Sequence, residues 1–498
     1  MKALRLLLAV LLVGCFYSCE EDDIGLSNFQ DSSLGHTGET NVPGDQYNEI
    51  EENPFITVIE QPISTFSTDA DGASYANVRR FIQQDQYLPP KGAIRTEELI
   101  NYFDLDYEYS DRTHPINLNG EVSECPWNMD HKLIRIGIKG KPIPEQELPP
   151  SNFVFLIDVS GSMGSEDKLT LLKGGFKNFV DELESTDRVA IVTYAGSAGV
   201  VLGSTSGDQK ATIKRAIDAL GSGGSTAGAE GIITAYEIAQ ENFLEGGNNR
   251  IIIGTDGDFN VGPSSQEDLV KLIEEKRDFG IFLTVLGVGR GNLNDGALEQ
   301  IANNGNGTYE YIDNLEQLRK VFIYDFQKFY TIAKDVKVQV EFNTETVEAY
   351  RLIGYENRLL DQEDFEDDKK DAGEIGANQN VTALYEIIPK NDLALTSAPT
   401  LRSVPVFTID FRYKNPQSDL SVPMSLEIFD NGKSFEEASD FQQFTAAVAS
   451  FSMLIRDSEY KGSSTYEEVL NWMDKSSLND RHNFKAEFRQ IVEKARNL

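Results

Sequence analysis

Between residues 151 and 330, short apolar runs alternate with stretches of helical spacing, and two of the runs end in acids and hydroxyls. Apolar runs over 152–159, 188–195, 250–256, 281–289 and 308–313 read as buried strands. Segments 168–183, 208–220, 227–243, 266–279 and 315–330 carry apolar residues at helical spacing, as with Leu169, Leu172, Phe176, Phe179, Val180 and Leu183. Strands alternating with helices of this length predict an α/β fold, an open parallel sheet covered on both faces.

Ligands of such sheets bind at the carboxyl ends of strands. The first run ends in Asp158-Val-Ser160-Gly-Ser162, and the run at 250–255 ends in Thr255-Asp256-Gly257. Between them Gly223-Gly-Ser-Thr226 opens a helix, so all three segments are expected at one edge of the sheet. Hydroxyls from Ser160, Ser162 and Thr226 and carboxylates from Asp158 and Asp256 form an all-oxygen set, which suits a hard divalent cation. Mg²⁺ fits such a small hydroxyl-rich site, with Mn²⁺ or Ca²⁺ as the other possibilities. The i, i+2, i+4 spacing lets three side chains of one tight loop turn inward together.

This pattern resembles the metal-ion-dependent adhesion site (MIDAS) of von Willebrand factor type A (VWA) domains in order, spacing and strand context. The resemblance implies a Rossmann-like VWA domain and a divalent ion held by Asp158, Ser160, Ser162, Thr226 and Asp256. It also implies an acidic residue from a protein partner completing the shell.

The remaining chain narrows the classes of function. At 498 residues it is too long for one ordinary core. A formal net charge of -36 repels phosphate backbones and argues against nucleic acid as a partner. Four histidines and one cysteine outside the N-terminus, Cys125, provide neither a His-rich metal centre nor a disulfide framework. No Ser-His-Asp or Cys-His constellation is legible, so the chain is not expected to be an enzyme.

Residues 1–14 (MKALRLLLAVLLVG) have a basic start and an apolar run too short to span a bilayer, the layout of a secretory signal. Leu12-Val13-Gly14-Cys15 resembles a bacterial lipobox. Cys19, followed by Glu20-Glu21-Asp22-Asp23, resembles the surface-export context of Bacteroidetes lipoproteins. Either Cys15 or Cys19 is the expected lipidation site, anchoring the chain in the envelope of a Gram-negative bacterium, in its outer membrane. Residues 20–52 read as a flexible tether.

On the flanks, the stretches at 64–83, 94–107, 125–128, 354–361, 371–378 and 444–462 (FTAAVASFSMLIRDSEYKG) resemble the YfbK-like family of bacterial VWA lipoproteins. The implied organisation is an N-terminal family domain at 53–150, the VWA domain at 151–330, a β-rich domain at 331–430 and a helical region at 431–498. Val78, Phe81, Ile82, Leu99, Ile100 and Phe103 suggest two short packed helices. Strand patterns at 132–139, 336–343, 380–389 and 404–414 fall on both sides of the central unit, which predicts one β-rich domain built from both flanks, with separate sheets flanking the core as the alternative. Helices are expected at 444–454, 466–473 and 484–495. Asp69-Ala-Asp71-Gly72 reads as a turn, residues 361–371 as a solvated acidic loop, and Cys125 as a packed core residue. Two functions remain open: metal-dependent engagement of an acidic partner, or a scaffold acting through the flanking domains with the metal only structural.

Overall fold

The computed structural model describes residues 44–68, 71–224, 228–257, 263–370, 372–390 and 404–498, all within one compact unit, Glu39–Leu498. Cys15, Cys19 and Thr226 lie outside the described residues.

The N-terminal flank supplies strands β1 (Ile56–Thr57) and β2 (Ile63–Ser67), then helices α1 (Ala73–Arg80) and α2 (Thr96–Asn101). Strands β3 (Ile116–Glu124) and β4 (Lys132–Gly140) complete it. The central unit follows with β5 (Ser151–Asp158), α3 (Leu171–Glu182), β6 (Arg188–Tyr194), β7 (Ala198–Ser206), α4 (Lys210–Asp218) and α5 (Gly228–Glu241). It continues through β8 (Asn248–Thr255), α6 (Pro263–Asp278), β9 (Ile281–Val288), α7 (Asp295–Asn304), β10 (Tyr309–Ile312) and α8 (Leu315–Arg319).

These strands form one sheet in the order β10-β9-β8-β5-β6-β7, parallel except for β7, which runs antiparallel on β6. All eight residues of β5 are buried, and their alternation sends them to opposite faces. Phe153, Phe155 and Ile157 meet α3 and α4 through Phe176, Phe179 and Ile213. Val154 and Leu156 share the other core with Ile232 of α5, Ile273 of α6 and Leu298 of α7. Tyr47, Ala73, Ala76 and Phe81 join that second core, so the N-terminal flank covers part of the central sheet.

Three regions depart from the sequence expectation. The edge strand β7 carries no apolar alternation and exposes Val200 and Val201, because only one of its edges is paired. Helix α7 forms in an Asn- and Gly-rich stretch where no helix is expected from the sequence. Its start is stabilised by Asn294, whose side chain accepts from the amide of Ala297 at 3.2 Å. The expected closing helix at 315–330 changes type along its length: α8 runs directly into a π-helical turn over Lys320–Tyr324, and a 3-10 turn over Phe326–Phe329 leads into the next strand.

The C-terminal flank adds β11 (Thr331–Phe342), β12 (Val347–Ile353), β13 (Leu359–Leu360), β14 (Gly373–Gly376), β15 (Asn380–Pro389), β16 (Phe407–Lys414) and β17 (Ser421–Ile428). One antiparallel sheet has the order β1-β12-β15-β4-β3, and the other β13-β2-β11-β16-β17, with β14 also on β11. Each sheet mixes strands from before and after the central unit. Phe66, Ile134, Ile136, Val338, Val340, Tyr385 and Ile409 fill the core between them, so the VWA-like unit is inserted into a β-sandwich made by both flanks.

Helices α9 (Asp440–Arg456), α10 (Tyr466–Lys475) and α11 (Phe484–Ala495) close the chain. Phe444, Phe451 and Phe488 pack with Tyr75, Leu99 and Phe103 from the α1–α2 region. No helix among the described residues is long and apolar enough to cross a membrane.

Candidate metal centre

Strand β5 delivers Asp158, and β8 delivers Thr255 and Asp256, at the carboxyl edge of the sheet. Both aspartates are fully buried, and Ser160 nearly so, whereas Ser162 is exposed. The cluster is therefore anchored from below and open through its serine loop. Met163, buried in the α3 face, pins that loop to the core.

The aspartate oxygens have distinct tasks. Asp158 Oδ1 accepts the Ser160 amide at 2.8 Å, and Oδ2 accepts the Thr255 hydroxyl at 3.1 Å. Burial raises the Asp158 carboxyl above its ordinary value, and repulsion from Asp256 adds to this, against the pull of Ser160 and Thr255. Asp256 goes the other way. Burial works to raise it, but the polar side chains of Asn292, Lys168 and Ser162 around it outweigh burial and lower it. The Ser160 and Ser162 hydroxyls lie 3.0 Å apart.

Asp256 Oδ2 accepts Lys168 Nζ at 2.9 Å, whereas Oδ1 is buried with no hydrogen-bond partner. An unpartnered buried carboxylate oxygen costs free energy unless something positive meets it. Together with the neighbouring hydroxyls it suits a divalent cation, so the residues present fit the group that VWA domains hold.

The third segment approaches from the expected side. The Gly223 amide donates to the Val159 carbonyl at 2.7 Å, and the Gly161 amide donates to Gly224 at 3.1 Å. These bonds tie the loop immediately before Thr226 to the serine loop. Thr226 itself lies outside the described residues. Behind Asp256, Gly257 has φ +97° and its missing Cβ would stand 2.6 Å from the Asn294 amide, so only glycine fits the turn.

Sequence reasoning missed Lys168 and Asn292. A signal for the lysine existed, since a cation at the start of the helix expected over 168–183 opposes the helix dipole and needs another reason to be there. It also missed Asp45, which accepts the amides of Gly291 at 2.7 Å and Leu293 at 3.3 Å and pairs with Arg80 at 2.9 Å. The chain thus enters the fold against the loop that backs the metal site.

Other singled-out residues have structural roles. Cys125 is fully buried and its thiol is pushed well up by burial, as a packed core residue requires. Asp71 of the Asp-Ala-Asp-Gly segment is a buried acceptor for the Tyr309 amide at 2.8 Å; residues 69 and 70 of the expected turn lie outside the described residues. Its carboxylate oxygen lies within 4.8 Å of oxygens of Glu98 and Glu299. Arg95 and Arg358 ion-pair with this triad and supply its positive charge.

Family models match this architecture in order: von Willebrand factor over residues 41–135, von Willebrand factor type A domain over 152–323, and Uncharacterized protein YfbK, C-terminal, over 327–498. The Escherichia coli (strain K12) protein described as Uncharacterized protein YfbK is 39% identical over 470 residues, covering 90% of this chain and 81% of its own length. The chain belongs to the YfbK family. Within this YfbK-family chain the central unit is a VWA domain, a fold whose members generally bind a divalent metal.

Other similarities are narrower. Uncharacterized protein sll0103 of Synechocystis sp. (strain ATCC 27184 / PCC 6803 / Kazusa) is 27% identical over 197 residues, 40% of this chain and 46% of its own. Among solved structures, conserved hypothetical protein BatB from Bacteroides thetaiotaomicron covers 36% of this chain and 98% of its own, at 25% identity and TM-score 0.31. The von Willebrand factor type A protein from Catenulispora acidiphila covers 74% of this chain and 88% of its own, at 15% identity and TM-score 0.41.

Proposed function

We propose that this protein is a metal-dependent binding module of the cell envelope. Asp158, Ser160, Ser162, Thr226 and Asp256 would hold one divalent ion, best suited to Mg²⁺, and an Asp or Glu of a protein partner would complete its shell. The single observation that carries this reading is the buried, unpartnered Oδ1 of Asp256 beside the Asp158–Ser160–Ser162 cluster. The exposed Ser162 side supports an open position toward solvent. The ion, when bound, would supply Lewis acidity toward an external carboxylate. The protein's residues orient it, exclude water from beneath it and keep the serine loop in place.

We further propose that the chain acts by binding rather than by turnover, and that Cys15 or Cys19 carries the lipid that tethers it to the outer membrane. The deciding experiment compares wild type with Asp158→Ala by calorimetric titration of Mg²⁺ and Mn²⁺ and by cross-linked pull-down with and without chelator. Ion binding and chelator-sensitive capture should vanish in the variant while its circular dichroism is retained. Equal partner capture by Asp158→Ala in the presence of chelator would leave the scaffold reading in place.

A further inference from the structure

Lys168 is the cation built into this site. It is 6% exposed, and its Nζ donates to Asp256 Oδ2 at 2.9 Å and to Asn292 Oδ1 at 2.8 Å. The backbone leaves helical values at this residue (φ −119°, ψ −107°) before α3 begins. The fold makes room for the side chain from the opposite strand. Gly289, at the end of β9, has φ +78°, and a Cβ there would stand 2.2 Å from Lys168 Cε. A side chain so enclosed, aimed at one oxygen of one aspartate, is a placed charge and not a snorkelling surface lysine.

We infer that Lys168 is a counter-charge that weakens the site's hold on its divalent ion and so reserves the ion's electrophilicity for an acidic ligand. This deepens the metal-site reading and rests on it. Asp158 and Asp256 bring two negative charges, and Lys168 returns one positive charge. The protein set therefore carries a net single negative charge, and a divalent ion seated there keeps a net positive charge. A carboxylate from outside would then be the charge that completes the site. Without the lysine, the two aspartates alone would neutralise the ion and leave little electrostatic reason to recruit an acid.

The lysine also explains why Asp256 presents only one oxygen. Oδ2 is taken by the ammonium and Oδ1 is left without a hydrogen-bond partner. The carboxylate is thus oriented for one-oxygen coordination. Asn292, the neutral acceptor on the other side of the ammonium, holds Lys168 without adding charge.

The test uses the full chain and two neutral variants. Lys168→Gln keeps an amide donor toward Asp256, and Lys168→Met keeps the length of the stem. Mg²⁺ and Mn²⁺ affinities are measured by calorimetric titration, with thermal melting in each ion as a second measure. Acetate is then titrated into the Mn²⁺-loaded proteins and its displacement of bound water is followed by water-proton relaxation. Both variants should bind the ions on the order of ten- to a hundredfold more tightly than wild type, and acetate should displace less water from them. A purely structural lysine would lower the melting temperature without tightening the ion. Unchanged or weaker ion binding in a folded Lys168→Gln protein overturns the inference while leaving the metal site standing. A flat titration of the wild type overturns both readings together.

Discussion

Glu98 sits where the three parts of the chain meet, and exchanging it for glutamine should change how stability depends on pH. The residue is 2% exposed. Its Oε2 accepts the Ser74 amide at 2.7 Å, and its Oε1 faces Arg95 at 3.3 Å. Arg95 is shared, binding Asp295 and Glu299 of the VWA domain at 2.7 Å each. Arg358 of the C-terminal flank bridges Glu299 at 3.1 Å and Asp71 at 3.4 Å. Four carboxyls thus face two guanidinium groups in a buried space, which favours retaining a proton. Burial pushes Glu98 up to about 8, with Arg95 opposing and Glu299, Glu97 and Asp295 reinforcing the shift.

In the unfolded chain the same group titrates near its ordinary 4.5. Between these values the folded state holds a proton that the unfolded state has released. The stabilisation is therefore fully present below the ordinary value and is lost as pH rises through the folded one. The expected decline accumulates to about 5 kcal/mol between the two values. Equilibrium urea denaturation in unit steps from about pH 5 to about pH 9 reads this directly. Glu98→Gln, which mimics the protonated acid, should flatten the decline and be more stable than wild type at the alkaline end. An unchanged slope in the variant, or wild-type stability rising across the window, would refute the reasoning.

Three further outcomes are expected. Asp45→Ala should cost about 3–5 kcal/mol by removing the nearer carboxylate of buried Arg80, which leaves it Asp85 at 3.9 Å. The same change should weaken the divalent-ion binding proposed for the site by loosening the loop at 289–294, which melting and ion titration together can read. Asp325 is held well below the usual carboxylate range; burial opposes the shift, and Lys320 and Lys328 outweigh it. Its stabilisation is present above the ordinary 3.8 and lost as pH falls below it, so Asp325→Asn should remove about 2 kcal/mol at neutral pH and blunt acid denaturation. Phe176→Ala should cost about 3–5 kcal/mol in chemical denaturation, because Phe176 is fully buried and stacks on Phe155 at 4.4 Å.

Much of this architecture is legible in the chain. The apolar runs at 152–159 and 250–256 are buried on both faces, which leaves a parallel sheet as their natural setting. The spacing Asp158-x-Ser160-x-Ser162 and the Asp256 turn mark the edge where chemistry gathers, and the structure brings those four together. The edge strand β7 was not legible because an edge needs no hydrophobic alternation. Helix α7 was not legible because its start depends on one asparagine cap amid loop-like residues.

What the sequence by itself determined is local: periodicity, turn chemistry, and the oxygen donors carried on a single loop. Pairing β2 with β11 across the whole inserted domain, and seating α1 on the VWA sheet, depended on tertiary structure, because strand partners are chosen by long-range burial. Tertiary structure likewise brought Lys168 to Asp256, 88 residues away, through a gap that Gly289 leaves open. A charge acts through distance in space, and that distance exists only once the chain has closed on itself.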